Sequence, residues 1–296
     1  MKTGRILLGA LAIAAATAAF GGEKITFTGS DLIKNVIENE IATVAKKNNL
    51  DVAIKMDGTY SALESLANGS SEIAIVAMPR GRKLPDGLVA LPFAYQAAVV
   101  VVNSVNPIEE ITTKQLFDIY SIAAKNRAET WQQLGVKNIG LRNIAPITTN
   151  LSDNVVVELF KYTSLNATNI GQWVHIAENK AAIYNMIKSN NSAIAIIGKL
   201  DGDNGNLIKV VSVAKPEDDT SKAYAFKPDR ENIFNGDYPM TLPFYIVFKK
   251  ENLKKVKVLA RFLLEDDIAN KIDKTDFFSA PSSSRKKSIF NLDIPQ

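Results

Sequence analysis

Three β-prone runs separated by two amphipathic segments open this chain, and that alternation points to a parallel sheet covered by helices. Lys24 to Thr28 reads KITFT and breaks at Gly29-Ser30-Asp31. Leu32, Ile33, Val36, Ile37, Ile41, Val44 and Ala45 then recur three and four apart, which predicts a helix with Ser30 or Asp31 as its N-cap. Val52 to Met56 predicts a second strand. Asp57-Gly58-Thr59-Tyr60-Ser61 turns it into a helix carrying Ala62, Leu63, Leu66 and Ala67. Glu72 to Met78 predicts a third strand, ended by Pro79.

The same grammar recurs further along, so the 296 residues divide into two α/β lobes. Leu88 to Val102 reads as two strand pieces around Pro92, and Asn103-Ser104-Val105-Asn106-Pro107 as a crossing between lobes. A second assembly follows: a helix at Thr113 to Tyr120, a strand at Ile144 to Thr148, a helix at Ser152 to Tyr162, a helix at Lys180 to Lys188 and a strand at Ala193 to Ile197. Met240 to Phe248 predicts a strand and Val256 to Ile272 a single helix, both returning to the first lobe. The expected division is residues 24–103 plus 235–296 for lobe 1 and 107–230 for lobe 2. Each lobe is a mixed sheet flanked by helices, and the two crossings form a hinge with a cleft between.

Export is expected from the first twenty residues. Lys2 and Arg5 precede an apolar run from Ile6 to Ala16 that is too short to span a bilayer, and Ala16-Thr17-Ala18 with Ala19 supplies small residues for cleavage. Residues 1–20 therefore read as a signal peptide, with an uncleaved anchor as the alternative. The chain has no cysteine, which excludes disulfides, thiolate metal sites and a lipid-modified cysteine after the leader, so a periplasmic location is expected.

Composition also restricts the chemistry. The single histidine, His175, rules out two-histidine metal sites and leaves one residue as base for any Ser-His-Asp triad. Next to Trp173, it reads as a packed residue. No glycine-rich nucleotide loop, zinc signature or nucleophile elbow occurs, so no enzyme and no cofactor or metal are expected. The densest basic run, Lys249–Lys250 with Lys254, Lys255 and Lys257, has no aromatic interleaving and reads as a solvated face rather than a nucleic-acid surface.

Three polar turns join predicted strands to helix starts: Thr28-Gly29-Ser30-Asp31, Gly58-Thr59-Tyr60-Ser61, and Thr148-Thr149-Asn150-Leu151-Ser152-Asp153-Asn154. Helix N-termini present free N–H groups and positive dipole ends, and hydroxyls add donors, so several converging on one cleft bind an anion. Each turn taken alone reads as an ordinary N-cap, and only the three together point to a ligand. The candidate ligand set is Thr28, Gly29, Ser30, Gly58, Thr59, Tyr60, Ser61, Thr148, Thr149, Asn150, Ser152, Asp153 and Asn154, with Arg80 as the one cation placed at the cleft mouth. A surface arginine in the loop Arg80-Gly81-Arg82-Lys83 is the other reading of Arg80.

The order of segments from Ile25 to Pro281 resembles the phosphate-binding proteins of phosphate ABC transporters, which are type II periplasmic binding proteins. The matching stretches are Leu91-Pro92-Phe93-Ala94-Tyr95 running into the valines of Val99 to Val102, Ile111 to Tyr120, Asn191 to Gly198, and Asp237-Tyr238-Pro239-Met240. The resemblance implies a phosphate-like oxyanion as ligand, an inner-membrane ABC transporter permease as partner and a monomer. The ligand motifs depart from the family. Ala77-Met78-Pro79-Arg80 stands where the family has a Ser-Asp pair. Thr148 stands at the family's Arg, Asn150 at its Asp, Ser152 at its Ser, Asp153 at a Gly and Asn154 at a Thr. An ionised Asp153 beside a bound dianion would be unfavourable. The alternative function is a non-transport sensory or structural protein of the same fold, with lost or altered ligand binding.

Overall fold

The computed structural model describes residues 24–137, 140–141, 143–149, 155–215 and 224–294. The expected signal segment lies outside the described residues. Strand β1 (Ile25–Gly29), helix α1 (Lys34–Lys47), strand β2 (Val52–Lys55), helix α2 (Thr59–Ala67) and strand β3 (Ile73–Ala77) realise the opening alternation. The chain continues through β4 (Leu88–Ala97), β5 (Val99–Asn103), β6 (Glu110–Thr112), α3 (Thr113–Tyr120), β7 (Ala145–Thr149), α4 (Val155–Ser164), β8 (His175–Ala177), α5 (Lys180–Ser189) and β9 (Ala193–Ile197). Then come β10 (Ile208–Val210), β11 (Ser212–Ala214), β12 (Ala225–Phe226), α6 (Arg230–Asn235), β13 (Thr241–Lys249), α7 (Leu253–Leu263), α8 (Asp266–Asp273), β14 (Phe277–Ser279) and α9 (Ser282–Asp293).

These strands form a six-stranded sheet in the order β14-β4-β13-β3-β1-β2, a five-stranded sheet β10-β5-β9-β7-β8 and a small sheet β12-β11-β6. β1 runs parallel to β2 and β3, and α1 buries Ile37, Ile41 and Val44 against that sheet. Full burial of each such aliphatic side chain contributes about 1.5–3 kcal/mol. β13 returns to the first sheet and lies antiparallel between β3 and β4. In the second sheet β7 runs parallel to β8 and β9. Separate apolar cores form around the two large sheets.

The structure moves three sequence-based expectations. The strand Leu88–Ala97 runs through Pro92, where its pairing with β13 shifts register, and the break falls at Ala98 instead. Val99–Asn103, expected at the end of the first lobe, pairs antiparallel with β9 and β10 in the second sheet. Its four valines are fully buried in the second core, which fixes them there. At the crossing, Ala98 N–H donates to Met240 O at 3.0 Å and Tyr238 Oη donates to Ala98 O at 2.7 Å, so the two connecting segments run side by side. The helix expected over Val256 to Ile272 is two helices. Buried Arg285 donates to the carbonyl of Leu264 and to Asp266 (2.7 Å each), and Asp266 and Asp267 suit a new helix N-terminus. His175, expected to be packed, is exposed on the edge strand β8.

Candidate functional site

Two turns at the carboxyl end of the first sheet are locked together by backbone contacts. Gly58 N–H donates to Gly29 O at 2.9 Å and Ser30 N–H donates to Ile75 O at 2.8 Å. Gly58 has φ +122°, a conformation only glycine adopts without strain. At Gly29 a Cβ would sit 2.8 Å from Met56 Sδ, so a larger residue there would have to displace the end of the Met56 side chain. Thr59 opens α2, and its Oγ1 accepts from Ala77 N–H at 3.0 Å, which leaves its own proton to donate elsewhere.

In front of these turns lies a cavity of about 770 Å³, walled by both halves of the molecule. The first half supplies Asp31, Leu32 and Asn35 ahead of and in α1, Thr59 and Tyr60 on α2, and Ala77, Pro79 and Arg82 after β3. α4 supplies Val155, Glu158, Leu159 and Tyr162, a stripe three and four residues apart that a helix places on one side. Leu242 closes the wall from β13. The Arg82 guanidinium lies 5.3 Å from the centre of the Tyr60 ring and donates to Tyr60 Oη at 3.2 Å. Glu158 is paired with Lys161 at 2.9 Å.

The residues expected from sequence scatter around this cavity. Thr59 and Tyr60 line it, whereas Gly29 and Gly58 are not among its described wall residues. Ser61 is exposed and outside its wall. Thr28 is buried with its hydroxyl bonded to Ser71 Oγ at 3.0 Å, a role within the sheet. Ser30, just past β1, and Thr148, near the end of β7, are buried hydroxyls with no hydrogen-bond partner. Ser30 stands at the N-cap of the short 3-10 turn Asp31–Ile33, but its side chain makes no capping hydrogen bond. Thr149 is half-buried at the end of β7. Asn150, Ser152, Asp153 and Asn154 lie outside the described residues.

Arg80 is not among the described residues that wall this cavity. Its guanidinium donates to the carbonyls of Ile233 and Phe234 in α6 and lies 5.8 Å from the centre of the Tyr95 ring. The carbonyls of a helix's last turn lack intrahelical donors, and they attract it. Arg82, two residues on, lines the cavity. Sequence reasoning also missed Glu158 and Tyr162, whose only signal was the continuation of the α4 stripe.

A second junction joins the halves on charge. Lys180 on α5 pairs with Asp201 at 2.8 Å and with Asp276 at 2.6 Å, Asp276 standing between α8 and β14. Lys199, after β9, donates to the carbonyls of Asp273 (2.7 Å) and Phe277 (3.1 Å), and Arg230 pairs with Asp273. Burial acts to lower the Lys180 pKa, but its hydrogen bonds to Asp201 and Asp276 outweigh this and hold the ammonium above its ordinary value. At Lys199 burial dominates and pushes the pKa down, against the opposing charge of Asp273 and with the charges of Arg230 and Lys180. Among the described residues, no group of three or more His, Cys, Asp or Glu could hold a metal ion, and no helix is long and apolar enough to cross a membrane.

A family model described as a PBP superfamily domain matches residues 14–267. Protein SphX of Synechococcus elongatus is 26% identical over 246 residues, covering 79% of this chain and 70% of its own length. Phosphate-binding protein PstS of Staphylococcus epidermidis is 24% identical over 277 residues, covering 89% of this chain and 81% of its own. Among solved structures, a possible phosphate binding protein from Planctomyces limnophilus superposes with a TM-score of 0.70 at 16% identity, over 91% of this chain and 96% of that one. PstS from Borrelia burgdorferi gives 0.69 at 19% identity, over 88% and 100%. The fold expected from the sequence is the fold these structures share.

Proposed function

We propose that this chain, which belongs to the PBP superfamily, captures a small oxyanion in the cleft between its lobes and delivers it to a membrane ABC transporter. The observation that carries this reading is the pair of buried, unpartnered hydroxyls, Ser30 and Thr148. Buried polar atoms in folded proteins nearly always have partners, and those without one call for an explanation. These two stand at the carboxyl ends of parallel strands in different sheets, where open α/β sheets receive ligands. An oxyanion supplies acceptors for hydroxyl donors, and the names of the relatives and neighbours support a phosphate-like one.

In this reading Ser30, Thr59 and Thr148 donate hydroxyls, and Arg82 supplies positive charge. The lobes consist of residues 24–97 with 241–294, and of 99–234, with the hinge at Ala98 and Tyr238 to Met240. The protein acts as a receptor and not as an enzyme, in the periplasm after removal of a signal peptide within residues 1–20. The test is a thermal-shift screen with phosphate and sulfate. A ligand at a hundred times its dissociation constant adds about 2.7 kcal/mol of stability. No rise with any oxyanion would defeat the proposal and favour a non-transport role.

A further inference from the structure

The walls of the cleft carry more apolar surface than a bare oxyanion would cover. Tyr60 is 72% exposed, Tyr162 65% and Leu32 41%, and all three face one cavity from three different elements. Single exposed apolar residues need no explanation, but a cluster lining one concavity marks a binding surface. A cavity of about 770 Å³ lies in the ordinary range for organic ligands, which are held by apolar and aromatic walls with a few placed polar groups. Thr59, at a helix N-terminus, and Arg82 come from the first half, as do Asp31 and Asn35. Among the described residues, α4 adds Leu159, Tyr162, a valine and Glu158, whose charge Lys161 pairs.

We infer that the cleft takes an organic phosphate ester, whose charged head lies toward Thr59 and Arg82 and whose uncharged body lies against Leu32, Leu159 and Tyr162. This rests on the oxyanion reading above. The head satisfies the donors and the body covers the apolar surface that inorganic phosphate would leave wet.

Calorimetry on the mature full chain tests it, with inorganic phosphate, phenyl phosphate, butyl phosphate and phenol as probes. At least one ester binds tenfold or more tightly than inorganic phosphate, a difference of about 1.4 kcal/mol, and phenol does not bind. Tyr162→Ala, at an exposed position, removes most of that preference and leaves inorganic phosphate affinity within twofold. Equal or tighter binding of inorganic phosphate overturns the inference and leaves the oxyanion reading standing. Equal weakening of ester and phosphate by Tyr162→Ala also overturns it, since Tyr162 would then serve the head and not the body. Phenol binding as tightly as its phosphate, or no binding of any probe, defeats both readings.

Discussion

The two junctions between the halves of this molecule handle polar groups in opposite ways. At the seam of α5, α8 and β14, the charges of Lys180, Arg230, Asp201, Asp273 and Asp276 meet opposite charges, and Lys199 meets two carbonyls and, at 4.0 Å, the carboxylate of Asp273. On the cleft side, the hydroxyls of Ser30 and Thr148 are buried at strand ends without partners, and in the cleft wall Arg82 rests on an aromatic ring and two tyrosines stand exposed. A paired cluster is complete by itself and holds the halves in place. An unpaired one is complete only with something bound. The difference teaches where to look for function: not where charge is densest, but where polar atoms lack partners.

The sharpest way to break this comparison is to exchange effects between Arg82 and Arg80. Arg82→Gln should weaken binding of inorganic phosphate or its esters by about 1.5–3 kcal/mol, the value of a hydrogen bond to a charged group. Its melting temperature should hardly change, because its described contacts are with one exposed tyrosine. Arg80→Gln should do the reverse and lower stability by about 1 kcal/mol through loss of its bonds to α6, with affinity unchanged. Calorimetry and thermal melts on both variants decide. If Arg80→Gln abolishes binding, the cleft has been assigned to the wrong arginine.

The seam gives the next effect. Lys199→Met should destabilise by about 1–2 kcal/mol, since two largely buried carbonyls lose a charged donor while the ammonium's burial penalty disappears. Lys180→Met should cost about 1 kcal/mol, because its carboxylate partners are about half exposed. Urea denaturation at low and high salt measures both. Added salt should shrink the Lys180 effect more, as Lys180 contacts two carboxylates near solvent directly, whereas Lys199 bonds two carbonyls and reaches the carboxylate of Asp273 only at 4.0 Å.

What the sequence made legible follows from what is local. Period-2 and period-3.6 patterns placed β1 to β3 with α1 and α2, because those elements bury the residues that make the pattern. The strand Ala193–Ile197 is fully buried and was readable as an apolar run ended by Gly198. The break at Ala98 was not readable, since both sides of it are equally apolar and only pairing distinguishes them. At the site, Thr59 was found because a strand-to-helix turn announces itself through Gly58. Arg80 and Arg82 lie in one loop, and the choice between them was made by α6, more than 150 residues away in sequence. Tyr162 looked like any surface tyrosine until α4 was placed across from α2.

The smallest effect is a pH dependence of opposite sign at two lysines of one seam. Lys180 has its pKa raised in the folded state. Its contribution is therefore complete below the unfolded-state value, about 10.4, and is lost as pH rises through the higher folded value. Lys199 has its pKa lowered, by burial first. Folding must keep it charged at a cost below its folded pKa, so stability is regained as pH climbs from that value to about 10.4. Wild type should thus gain on Lys199→Met as pH rises below 10.4, and lose on Lys180→Met as pH rises above it. Tyrosines and other lysines titrate in the same range, but they are common to all three proteins and largely cancel in the differences. Urea denaturation of the three proteins in steps from pH 8 to pH 11.5 resolves the two trends. Parallel trends for both variants would mean that the seam acts as one averaged charge, and that pairing does not separate its two lysines.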